Sequence, residues 1–184
     1  METWTKLSFY VAVLGWCMSF VVHVLSLFGF DVGEKIPLIG LLHFGIFIVW
    51  LPTVIRMKLR QDEMKTKKAN GSVFSNANQV LKALFENTPA WLKIVAIICF
   101  IYAPVNFVIF AMNQTGSPAF ENGEYMIRNH GELIRVITAD EYHSFLANEL
   151  RGFSGHWLFF YGLSAASLFP FGKQKEHIKK SDPV

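Results

Sequence analysis

The sequence predicts an all-α membrane protein. Four transmembrane helices are expected, with a small β-hairpin cap on the extracytoplasmic side and a fourth helix extended out of the membrane to meet it. Three observations lead there. Four long runs are nearly free of charge, and the charged residues crowd between them. Charged types make up only 17% of the 184 residues, against about a quarter in an ordinary soluble domain. None of the runs alternates with period two, which disfavours a membrane β-barrel.

The first span is expected at about residues 7–30 and contains His23. Its apolar stretch exceeds the roughly 7–15 residues of a signal-peptide core and no small-x-small cleavage site follows, so it reads as a retained span. Gly15 and Ser19 stand in a small-xxx-small spacing that lets another helix approach closely. The linker "GFDVGEK" reads as a tight outer turn made by two glycines and two acids. The second span, about 36–55, contains His43 and ends in "WLPTVIRMKLR". Trp50 suits the inner headgroup region, Pro52 a kink or stop, and the basic residues the cytoplasm.

A cytoplasmic loop follows at 56–91. Within it, about 74–86 reads as an amphipathic surface helix, with Phe74, Ala77, Leu81, Leu84 and Phe85 on one face. Thr88 as N-cap and Pro89 as first helical residue are expected to start the third span, about 92–112. Pro104 falls in its middle and predicts a kink. The extracytoplasmic loop spans 113–154. Its "EYMIRNHGELIRVIT" alternates about a glycine turn and predicts a hairpin over about 124–138. Thr138 and Glu141 form a capping box, so one helix should run from about Ala139 through the fourth span, 155–171. Gly155, Gly162 and Ala166 lie seven and four residues apart and make a stripe of small residues for helix packing. No internal repeat divides this single membrane domain.

Basic residues set the orientation. Eight Lys and Arg lie between Arg56 and Lys93, and four more follow the fourth span. The opposite side holds Lys35, Arg128, Arg135 and Arg151, and acids outnumber bases in its long loop. Both termini are therefore expected in the cytoplasm, with the chain in the cytoplasmic (inner) membrane. The net charge of +3 serves topology and headgroup contact, and no nucleic-acid partner is expected. Cys17 and Cys99 lie inside spans and read as small apolar packers.

Polar residues inside spans are expensive and so deserve weighing. His23 and His43 each fall about 10 Å below the outer edge, from the rise of a helix. His156 enters near the outer face of the fourth span, with Glu149 seven residues earlier on the same helical face and Arg151 about one turn above the hydrocarbon. Imidazoles from three helices can converge on a metal, haem or quinone, with Glu149 as fourth ligand or acceptor. Alternatively each histidine hydrogen-bonds a neighbour and locks the bundle. Depth can be read from sequence; facing cannot. His130, Tyr142, His143, Glu149 and Arg151 are candidates for an outer polar pocket. No nucleophile elbow, H-E-x-x-H, phosphate loop or Cys-x-x-Cys occurs, so no catalytic residue is assigned.

The expected function is a non-enzymatic structural or interaction protein without a cofactor. Its partners are the bilayer and either a second copy or an envelope protein. The alternative is a metal- or haem-binding protein using His23, His43 and His156. A further alternative is an oligomeric transporter or channel subunit, hinted at by Pro104 and Asn106 in mid-span. The segments "NHGELIR", "EY" and "RGFSGHW" together resemble a family of small four-span proteins of bacterial inner membranes. That resemblance covers most of the chain. It implies the topology and a bacterial setting, and no activity or functional residue.

Overall fold

The computed structural model describes residues 2–65, 78, 80–82, 84, 85 and 88–170. It is mostly helical. Helix α1 (Glu2–Leu27) leads through a short helix α2 (Val32–Lys35) and a 3-10 turn (Pro37–Gly40) into α3 (Leu41–Lys65). Helix α4 (Ala90–Asn113) precedes a three-stranded antiparallel sheet: β1 (Ser117–Glu121), β2 (Glu124–Asn129) and β3 (Glu132–Val136). Helix α5 (Ala139–Leu168) closes the described chain.

Three helices, Thr3–Leu27, Pro37–Asp62 and Ala90–Asn113, are long and apolar enough to cross a membrane. The fourth predicted span, now the C-terminal half of α5, is not among them. The packing explains why. Helices α1, α3 and α4 all pack on α5, while α3 and α4 make no substantial contact with each other. Helix α5 is the central helix, so its composition answers to its neighbours rather than to the surroundings. Ser154, Ser164 and Ser167 are fully buried along it, beside Trp157 and Tyr161. The outer three helices show the opposite distribution. Phe44, Phe47 and Ile48 on α3, and Ile98, Phe100 and Ile101 on α4, are exposed, while Ser19, His23, Thr53 and Asn106 are buried.

The ends of the helices follow local chemistry. Helix α1 stops where Gly29 takes a φ of 79° and the Phe30 N–H reaches back to the Leu25 carbonyl at 3.1 Å, a glycine-capped end. The linker predicted as a bare turn instead winds one helical turn, α2, because Asp31 accepts from the Glu34 N–H at 3.2 Å and caps it. Neither Pro52 nor Pro104 ends its helix.

Thr88 corrects an expectation. It does not cap α4; Pro89 occupies the N-cap position without a side-chain bond. The Thr88 hydroxyl donates to the Ala166 carbonyl at 2.6 Å, and Arg56 Nη2 donates to the Phe169 carbonyl at 3.3 Å. Both supply partners to carbonyls that a helix C-terminus leaves open, and that demand outbids a cap on α4.

The predicted hairpin is present as β2 and β3, turning at His130-Gly131. A further strand, β1, pairs with β2 through a turn at Asn122-Gly123. Strand β2 supplies the sheet's core with Met126 and Ile127, while β3 is exposed throughout. The capping box forms in full: Glu141 N–H donates to Thr138 Oγ1 at 3.2 Å, and Thr138 N–H donates to Glu141 Oε2 at 3.0 Å. These bonds and Arg135 hold the Glu141 carboxyl below its ordinary range. The cap fixes where the sheet ends and α5 begins. The predicted amphipathic helix at 74–86 lies largely outside the described residues. Of those described, Leu81 is exposed and Phe85 packs against the core.

Candidate functional site

The stretch Arg151–Trp157 runs through the middle of α5, among side chains from α1, α3 and α4. Gly155 presents no side chain, so the Asn106 amide of α4 lies against its backbone. From there Asn106 Nδ2 donates to the Arg151 carbonyl at 3.0 Å. Ser154 Oγ donates to the same carbonyl at 3.2 Å. Gly152 gives way to the Phe110 ring, whose nearest atoms lie 2.8 Å from where a Cβ would sit.

His23 of α1 enters this arrangement with both ring nitrogens. Nδ1 lies 2.8 Å from Ser154 Oγ and Nε2 lies 2.6 Å from the Tyr102 hydroxyl. One assignment of protons satisfies the set. Nδ1–H donates to Ser154, which passes its own proton to the Arg151 carbonyl, and the Tyr102 hydroxyl donates to Nε2. The imidazole is then neutral and fully bonded, and it ties α1 to both α4 and α5.

His43 and His156 belong elsewhere. Trp157 Nε1–H donates to His43 Nδ1 at 3.3 Å, which places the proton of a neutral His43 ring on Nε2. His156 Nδ1 donates to the Gly152 carbonyl of its own helix at 2.9 Å, which leaves Nε2 as an acceptor. Both rings line one crevice of about 250 Å³, walled by Phe107, Phe110, Phe153 and Phe160 and bordered by Glu149. It opens where α3 and α4 fail to meet over α5. Burial pushes the Glu149 carboxyl up, opposed by a bond from Gln114 Nε2 at 3.0 Å. The three predicted histidines therefore do not share a centre. Two face the crevice and the third is bonded in the interior.

No protein-family model, curated protein or solved structure matches this chain. The site therefore rests on its own geometry.

The predicted outer cluster divides as well. Arg151 lines a pocket of about 280 Å³ with Ser26, Asn113, Ser144 and Asn148. Its Nε and Nη2 are buried with no hydrogen-bond partner among the described residues. His130 occupies the β2–β3 turn with a φ of 49°. Tyr142 lies against Tyr125 with ring centroids 4.9 Å apart. His143 turns toward Asp31 and Glu34 of the first outer turn.

The small-residue positions act as spacers. Gly15 and Gly45 both lie against Tyr161, whose hydroxyl donates to the Leu42 carbonyl at 2.7 Å. A Cβ at Gly162 would sit 3.2 Å from the Trp16 indole and 3.6 Å from Cys99 Sγ, and Ser19 and Ala166 are fully buried. Tyr102, Ser154 and Trp157 are the partners that sequence reasoning did not assign. Asn106 was singled out only as a hint of transport, and it serves as an inter-helix bond.

Proposed function

We propose that the chain is a four-span integral protein of the cytoplasmic membrane that acts by binding rather than catalysis, with its sheet cap on the extracytoplasmic side. The exposed apolar faces of α1, α3 and α4 around a polar-lined centre are the arrangement that hydrocarbon surroundings favour. The observation that carries the non-enzymatic reading is His23. Its two nitrogens hold three helices together, which is a structural use of an ionisable side chain in the interior. Alkaline phosphatase fusions test the placement. A fusion after Val184 is expected inactive, and an insertion at the Asn122-Gly123 turn active, because the enzyme matures only in the oxidising compartment. The reverse pattern would overturn the orientation.

A second reading rests on the crevice. In hydrocarbon, an exposed imidazole such as His43 is costly unless something covers it. The His43 Nε2–H donor and the His156 Nε2 acceptor together suit a hydroxyl group, and the surrounding Phe rings suit an aromatic one. The occupant that fits is a membrane-dissolved hydroxyaromatic amphiphile, such as a quinol. A radiolabelled 4-nonylphenol probe is expected to bind the wild type saturably, and a His43→Ala, His156→Ala variant more than ten-fold more weakly. Equal binding by the two proteins, or equal affinity for dodecanol, would remove this reading.

A further inference from the structure

The outer turn between α1 and α3 carries a group that the membrane reading does not use. Asp31 Oδ2, Glu34 Oε2 and His143 Nδ1 each offer one ligand atom, and all lie within 4.8 Å of one another. Two come from the α1–α3 linker and one from the first turns of α5. His143 Nδ1 stands 3.6 Å from Asp31 Oδ2 and 3.5 Å from Glu34 Oε2. These separations are too long for hydrogen bonds.

Asp31 supplies a separate observation. Its side chain is only 7% exposed. Oδ1 is used as the cap of α2, but Oδ2 is closed to water and has no hydrogen-bond donor among the described residues. A buried carboxylate oxygen without a donor is costly. This one points at the other two ligands, across a gap that suits a cation better than a water molecule.

The geometry points to a divalent zinc site formed by Asp31, Glu34 and His143. With Zn–N bonds of about 2.0–2.1 Å and Zn–O bonds of about 2.0–2.2 Å, the two ligand pairs 3.5–3.6 Å apart subtend roughly 110–125° at the metal, near the tetrahedral angle. That angle suits a four-coordinate ion. The right angles of octahedral Mg²⁺ at similar bond lengths would bring the ligands closer together. A mixed imidazole and carboxylate set also favours zinc over the harder cations. Three ligands come from the described residues, and water completes the coordination. The ion would join the first outer turn to the start of α5, fastening the α1–α3 hairpin to the base of the cap. This inference does not depend on which way the chain is inserted.

Zinc itself is the probe. Full-length protein in mild detergent, stripped with a chelator, is expected to take up one Zn²⁺ per chain by calorimetry. An Asp31→Asn, His143→Ala variant should bind more than ten-fold more weakly. Asn at position 31 keeps the cap of α2, and melting without zinc checks that the variant folds. The Glu34 side chain is 60% exposed, so Glu34→Gln is a second variant that leaves packing intact, and it too should lose more than ten-fold. His130→Ala should leave binding unchanged. Co²⁺ in place of zinc should give the intense visible bands of a four-coordinate ion, absent in the double variant. The assignment is overturned by no zinc uptake, by equal uptake in wild type and the ligand variants, or by the pale spectrum of octahedral cobalt.

Discussion

Replacing Gly155 with Val is expected to produce a large loss of stability. The Cβ of any residue at 155 would collide with the Asn106 amide. Asn106 is itself 1% exposed, so it has nowhere to retreat. Overpacking of this kind costs about 1–3 kcal/mol. Pushing Asn106 away also strands its amide from the Arg151 carbonyl, and an unpaired buried polar group costs about another 1–3 kcal/mol. Together the loss should approach about 4 kcal/mol, read as a lower midpoint on denaturation from mild detergent. Gly155→Ala should already be harmful. Removing the Asn106 side chain should make Gly155→Ala cheaper, so the double variant Gly155→Ala, Asn106→Ala should lose less than the sum of its parts. Strict additivity, or an unchanged midpoint for Gly155→Val, would show that the glycine is not a docking point for Asn106. Gly162→Leu should be costly for a similar reason, since the Trp16 indole lies 3.2 Å from where its Cβ would sit.

These expectations use a level of detail that the sequence holds only in part. The three outer helices were legible because each must stay apolar on the faces it turns outward. The capping box at Thr138 and Glu141 was legible because both bonds are local. So was the β2–β3 hairpin, set by a glycine turn between alternating arms. Strand β1 was missed although Asn122-Gly123 is a strong hairpin signal, because its five residues "SPAFE" carry a proline and do not alternate with period two. Thr88 was misassigned because "TP" before a span is a good local cap, while its real partner, Ala166, lies 78 residues away.

Facing was the deeper obstacle. From the sequence, His23 and His43 are expected at similar depths and His156 nearer the outer face, but depth does not say which way a ring faces. Which ring turns inward depends on how α1, α3 and α4 rotate about α5, and that rotation is set by spacers such as Gly15, Gly155 and Gly162 on different helices. The low hydropathy of α5 had the same origin. A helix surrounded by three others can carry Ser154, Ser164 and Ser167 where a helix facing outward could not.

The inward-bonded His23 and the exposed His43 should therefore behave differently when replaced. His23→Ala removes two hydrogen bonds that join three helices and leaves a cavity where the ring stood. Inter-helix bonds in membranes are worth roughly 0.6 kcal/mol on average and up to ~1.7, and the cavity adds to that, so a loss of about 2–4 kcal/mol is expected. Tyr102→Phe should reproduce part of it, and its effect should nearly vanish once His23 is already Ala. His43→Ala opens no interior cavity, because the ring is exposed, but it leaves the buried Trp157 Nε1–H without its partner, so it should cost about 1–2 kcal/mol, less than His23→Ala. The same preparations separate this account from a haem or metal centre built on the three histidines. Under the structural account the purified wild type shows no Soret band, and the His23 variant differs from it only in stability. A chromophore or bound metal that both His23→Ala and His43→Ala abolish would require the two rings to share a ligand. The bundle would then have to rotate α1 or α3 away from the packing that Ser154, Tyr102 and Trp157 now define.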